Sequence, residues 1–258
     1  PIFPILPSVI QAAEEVSMFH AMGHVNFTDE VSFGFTLARA YRREPPFPVP
    51  VLPPVDQAGI RAVLDGHAPG YLSPEETMRL LTAAGIKTAA QRTVTQPEEI
   101  AEAAKALGYP LVMKVVGPVH KSDVGGVRTG ITDVQSVEKI FSELMHIEGA
   151  TAVLLQQQKK GVEVFIGASK EDPFGHVVLC GLGGIFIEVF KDVTSAIAPV
   201  GKEEALSMIR HLKSYPIIQG TRGKEGVNEA LFSQALLQLS VLLNVAPEIM
   251  ELDINPLM

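Results

Sequence analysis

One cysteine, Cys180, and no tryptophan occur among the 258 residues. A lone thiol excludes an intrachain disulfide and any cysteine-based zinc cluster. Set in the run VVLCGL, it reads as a small buried apolar side chain ahead of a nucleophile. Long apolar runs are missing as well: nothing approaches the roughly 20 residues of a membrane helix, and no signal-peptide pattern is visible. There is no excess of positive charge. Lys+Arg 21 stand against Asp+Glu 29, a net charge of -8, which disfavours non-specific nucleic-acid binding because that needs a basic surface. A cytoplasmic protein engaging neither membrane nor nucleic acid is expected.

Hydrophobic residues are plentiful, at 47%, and charged ones make up 19%, so a sizeable core can form. The chain opens Pro-Ile-Phe-Pro without methionine and stops on Asp253-Ile254-Asn255-Pro256-Leu257-Met258. A fragment or a processed chain is the expectation.

Proline and glycine divide the sequence. Ser8 can cap a helix through Val9, Ala12, Val16 and Phe19, and Thr28 a second through Val31, Phe35 and Leu37. Residues 45–54, PPFPVPVLPP, hold six prolines and read as a stiff linker within 45–70. Beyond it, Ser73-Pro74-Glu75-Glu76 is a capping box with proline at the first helical position, and Thr95-Gln96-Pro97-Glu98 repeats that device. Strands are expected at Leu111 to Val116, Val127 to Ile131 (paired as a hairpin), Ala152 to Gln156, Val162 to Ala168, Val177 to Leu182 and Ile249 to Ile254. Helices are expected at Val134 to Met145, Lys202 to Leu212 and Asn228 to Leu243. The fold class is mixed α+β, with hairpins among the strands.

Three clusters carry chemistry. Lys114 interrupts the apolar strand LVMKVV and is followed by Gly117-Pro118-Val119-His120-Lys121-Ser122-Asp123-Val124-Gly125-Gly126. Glycines let backbone N–H groups approach phosphate oxygens, and lysine adds a compact charge. No Walker A loop is present, and alone this is a weak signal. The second cluster, Gly181-Leu182-Gly183-Gly184 with Glu188 and Asp192 beyond it, is either a tight strand turn or a phosphate cradle with its carboxylates near cations. The third is Glu251-Leu252-Asp253-Ile254-Asn255. Strand alternation puts Glu251, Asp253 and Asn255 on one face, where they are either solvated or bound to a hard cation; beside a nucleotide such oxygen ligands suit Mg²⁺.

In this order the pieces resemble the ATP-grasp fold, with its two lobes. HKSDVGGV, GLGGIFIEVFKDV and ELDINPL narrow the resemblance to the ATP-grasp part of NDP-forming acyl-CoA synthetases, the relatives of succinyl-CoA synthetase. The resemblance covers about residue 71 to the end. Residues 1–44, with PILPSV and GHVNFTDEVSFG, resemble the closing segment of the ligase domain that precedes this module in fused versions. The implied organisation is 1–44 as a helical tail of that domain, 45–70 as linker and 71–258 as an ATP-grasp domain cut short at its C-terminus.

The resemblance implies ATP or ADP with Mg²⁺ as cofactors, and CoA and the acyl substrate on a ligase domain or subunit outside this chain. It implies an oligomer. Lys114 would contact phosphates, Gln156, Gln157 and Gln158 the adenine, and Glu163 the ribose or phosphate end. Gly183 and Gly184 would line the active site with Glu188 beside them, and Asp253 and Asn255 would hold the metal. His120 would relay a phosphoryl group between acyl phosphate and ADP. The other readings are a regulatory ATP-grasp module of the kind fused to protein-lysine acetyltransferases, and an ATP-grasp ligase joining a carboxylate to an amine, for which HKSDVGGV is atypical.

Overall fold

The computed structural model describes residues 3–6, 11–42, 45–118, 125–184, 191–221, 223 and 225–258. They fall into two compact units, one up to Phe47 and one from Pro48. In the first, α1 (Ala13–Ala21) and α2 (Glu30–Tyr41) follow one another, and the rings of Phe3, Phe27 and Phe33 cluster in edge-on and tilted contacts, with centroids 5.1 to 6.4 Å apart. The caps differ from expectation. Ser8 lies outside the described residues, and α1 starts from Ala12 without a side-chain cap. Asp29, one residue beyond Thr28, caps α2 through Ser32 N at 2.7 Å; a carboxylate is the stronger acceptor at a positive helix end.

The second unit begins with α3 (Gln57–Leu64) and α4 (Pro74–Ala83). Helix α3 corrects the reading of 45–70 as linker throughout. Asp56 caps it, and it buries Ile60 and Val63; the irregular stretch ends where the prolines do. The Ser73 capping box forms in both directions. Its proposed repeat does not: helix α5 (Pro97–Leu107) has Gln96 at the N-cap with no side-chain bond.

Strand β1 (Gln91–Val94), β2 (Leu111–Val116), β3 (Val127–Ile131) and β4 (Ala152–Gln157) form an antiparallel sheet in the order β1-β4-β2-β3. Helices α5 and α6 (Val134–Met145) cover one face, burying Ile100, Leu111, Met113, Val137, Leu144 and Leu155. Each such side chain contributes about 1.5–3 kcal/mol of burial. The second antiparallel sheet holds β5 (Val164–Glu171), β6 (Gly175–Leu182), β7 (Val193–Ile197) and β8 (Glu251–Leu257), in the order β7-β6-β5-β8. On its inner face Ile166, Val178, Cys180 and Leu182 pack with α7 (Lys202–Arg210), the short α8 (Tyr215–Ile218) and the long α9 (Glu229–Val245). Helix α9 is apolar around most of its circumference because it serves two cores: Leu236 and Leu239 face the second sheet, and Leu242 joins α3 and α4. Arg61 of α3 fastens to its far end, bonding Glu248 Oε1 at 2.6 Å and Val245 O at 3.4 Å.

Candidate functional site

Lys114 gets its direction from strand alternation. Leu111, Met113 and Val115 point into the helix-covered core, and Val112, Lys114 and Val116 share the opposite, half-exposed face. On that face Lys114 Nζ donates to Gln156 Oε1 at 3.1 Å. Gln156 sits between Val112 of β2 and Gln91 of β1 in the ladder, and its Nε2 donates to Gln91 Oε1 at 3.2 Å. Two positions along β1, Thr93 Oγ1 is buried without a hydrogen-bond partner among the described residues.

The other two glutamines are placed differently. Gln157 lies opposite Leu111, on the alternate face, and accepts from Lys159 Nζ at 2.6 Å. Gln158 accepts from Gly130 N at 2.7 Å and donates its own N–H to Pro110 O at 2.9 Å, so the segment leaving the first sheet is tied back to it.

A second group forms where β5, β6 and β8 meet. Gly183 N donates to Glu163 O at 2.8 Å. A Cβ at Gly183 would lie 3.2 Å from Asn255 Oδ1, and one at Gly184, whose φ is +61°, would lie 2.5 Å from Glu163 Oε2. The absence of side chains on the glycine pair is therefore what lets the Glu163 carboxylate and the Asn255 amide lie directly against its backbone. Asp253 pairs with Gly167 of β5, and Glu251, Asp253 and Asn255 lie on the exposed face of β8, while Leu252 and Ile254 pack inward. Asp253 is exposed as a residue, but its carboxyl is partly desolvated by the packed atoms around it; this desolvation, with repulsion from Glu251, raises its pKa. Among the described residues no cation offsets this shift.

The expected sites thus form two groups, Lys114 with Gln156, and Glu163 with Gly183, Gly184, Asn255 and Asp253. His120 and Glu188 lie outside the described residues. Asp192 accepts from Lys213 N at 2.9 Å and Ser214 N at 2.7 Å, and the Lys213 charge lies near it. Burial raises its pKa, but the hydrogen bonds together with the Lys213 charge outweigh burial and the net shift is downward. Gln91 was not anticipated, since one polar residue on a short edge strand gives no sequence signal.

Cys180 is buried, 3.2 Å from Thr194 Oγ1, and burial pushes its thiol from 9.0 up to about 11. The unfolded thiol ionises first, so stability falls as pH rises from about 9 through 11, by on the order of 2 kcal/mol. Alkaline denaturation of Cys180→Ala should lack this component, and native Cys180 should resist iodoacetamide at neutral pH; rapid alkylation of the folded chain would contradict the placement.

Residues 65–258 match the ATP-grasp domain family, and the chain belongs to it. The expected mixed α+β ATP-grasp fold is borne out, and both its sheets are antiparallel. Among its relatives is the β subunit of ADP-forming acetate–CoA ligase I of Pyrococcus furiosus, 35% identical over 192 residues, or 70% of this chain and 83% of the relative. ADP-forming acetate–CoA ligase II of Archaeoglobus fulgidus is 39% identical over 188 residues, 72% of this chain. The chain spans 28% of that longer ligase. A solved structure of dinucleotide-forming acetyl-coenzyme A synthetase 1 from Ca. Korarchaeum cryptofilum superposes with a TM-score of 0.65 at 33% identity, covering 76% of this chain and 91% of that one. That enzyme was captured with coenzyme A and Mg-AMPPCP, its phosphohistidine segment pointing towards the nucleotide binding site. Among the described residues no helix is long and apolar enough to cross a membrane.

Proposed function

We propose that this chain is the nucleotide-binding, phosphoryl-transferring part of an ADP-forming acyl-CoA synthetase, working with a ligase domain or subunit that handles CoA and the acyl group. The observation that carries the reading is the Gly183–Gly184 backbone with Glu163 and Asn255 held against it and Asp253 on the same face of β8 as Asn255. Bare backbone is what a phosphate chain can approach closely.

The residues fit a magnesium nucleotide. Among the described residues no three His, Cys, Asp or Glu side chains gather into a protein-only metal cage. Magnesium beside a nucleotide takes one or two carboxylates and completes its shell with phosphate and water. Asp253 and Asn255 supply that oxygen set, and the desolvated Asp253 carboxylate gains from a cation. Held by Asp253 and Asn255, magnesium would supply positive charge to offset that of the phosphates. Lys114 would place an ammonium on the phosphates from the first sheet, and Glu163 would orient the ribose or phosphate end. Glu188 is proposed beside the glycine pair. Gln157 and Gln158, carried over as adenine contacts, lead from the Lys114 sheet toward Glu163.

His120 is proposed as the relay. Its ring nitrogen forms a bond to phosphorus as the donor's P–O bond breaks; a terminal oxygen of ADP then takes the phosphoryl group, and the N–P bond breaks. The support is the HKSD motif. The inferred organisation keeps 71–258 as the ATP-grasp module and 1–44 as the end of a ligase domain. Exposed Val31, Phe35, Leu37 and Tyr41 in the first unit support a partner surface there.

Calorimetric titration of ADP with magnesium tests the core of this reading. Binding is expected, and Asp253→Asn should weaken the magnesium-dependent part roughly tenfold, the scale of one lost charge-assisted contact. A chain that binds no ADP would sink the proposal.

A further inference from the structure

Lysine has donors and no acceptor, so Gln156 must turn its carbonyl oxygen toward Lys114. Its amide nitrogen then faces β1 and donates to Gln91 Oε1, and that in turn directs Gln91 Nε2 at the carbonyl of Pro74, 3.4 Å away in the first turn of α4. One ammonium therefore sets both amide orientations, and the row runs in a single direction from β2 across β4 and β1 to a helix. Gln91 and Gln156 are directly opposite in the ladder. Both are half-buried, where a mis-set amide is not readily rescued by water.

We propose that Gln91 is a positioning residue for the nucleotide: through Gln156 it holds the Lys114 ammonium where the phosphates bind. This rests on the reading of Lys114 as a phosphate contact. In this role the side chain of Gln156 serves the lysine. Gln91 touches no phosphate, and its effect reaches the ligand only through the row. A residue that merely stabilised the sheet edge would alter binding of adenosine and of ADP alike. A residue acting through Lys114 discriminates between them, because adenosine carries no phosphate.

The test uses the full chain titrated with Mg-ADP and separately with adenosine, in the wild type and in Gln91→Leu, Gln91→Glu, Lys114→Met and the Gln91→Leu/Lys114→Met double variant. Gln91→Leu is expected to weaken Mg-ADP about fivefold, the scale of one net hydrogen bond, and to leave adenosine unchanged. Gln91→Glu keeps the acceptor for Gln156 Nε2 and should retain most of the affinity; it also keeps the proposal testable if Gln91→Leu misfolds. In the Lys114→Met background, Gln91→Leu should have no further effect. If Lys114→Met weakens Mg-ADP while Gln91→Leu does not, or if the two losses simply add, the positioning role is overturned and the phosphate role of Lys114 stands. If Lys114→Met leaves Mg-ADP binding unchanged, both fall together.

Discussion

Gly117→Ala is expected to lower the thermal unfolding midpoint by on the order of 10 °C. Gly117 ends strand β2 with φ at +122°, outside the reach of ordinary side chains. An added Cβ would overlap the carbonyl oxygen of Gly149 and approach Thr151 N at 3.4 Å. Neither neighbour can give way cheaply, because Thr151 N is bonded to Val116 O at 2.8 Å and Ala150 N to Ile147 O at 3.0 Å. Backbone strain and backbone overlap together should cost about 3–5 kcal/mol. Gly130 is the control. Its φ is +72° and nothing lies within 4 Å of where an added Cβ would sit, so Gly130→Ala should cost about 1 kcal/mol. Calorimetry of the two variants checks the argument, and equal midpoints would refute it.

His120→Ala should reduce ATP formation from ADP, phosphate and acyl-CoA at least roughly a thousandfold, the scale of deleting a covalent nucleophile. The full-length enzyme, or this chain with its ligase partner, is the material for the measurement. Mg-ADP affinity should hold, since the proposed function gives His120 the transfer step and Lys114 the binding. Labelled phosphate should remain on the wild-type protein through alkaline denaturation, as a phosphoramidate does, and be missing from the variant. An undiminished rate in His120→Ala would end the relay proposal.

Local chemistry was the legible part of this fold. The Ser73–Glu76 capping box is complete within four residues and forms as read. Thr28 and Asp29 are adjacent capping residues, and spacing could not say which one would win. Strands β1 and β7 escaped because both are sheet edges with little to bury: only Val94 is buried in QRTV, and VTSAI buries none of its residues. Helix α3 was hidden by the prolines before it and by Gly59 in its first turn. At the site, one-face placement of Glu251, Asp253 and Asn255 follows from a period of two. The meeting of Glu163 with Gly184, or of Lys114 with a glutamine 42 residues away, depends on sheet pairing that no local pattern encodes.

The burial of Cys180 leaves the described surface without a thiol. Any cysteine introduced at an exposed position becomes the sole target for a maleimide dye. Arg92 on the first sheet and Ile197 on the second are both exposed. Replaced by cysteine and labelled as a pair, they would turn the two lobes into a molecular ruler, read in solution by energy transfer with and without nucleotide, and the native cysteine would not have to be removed first.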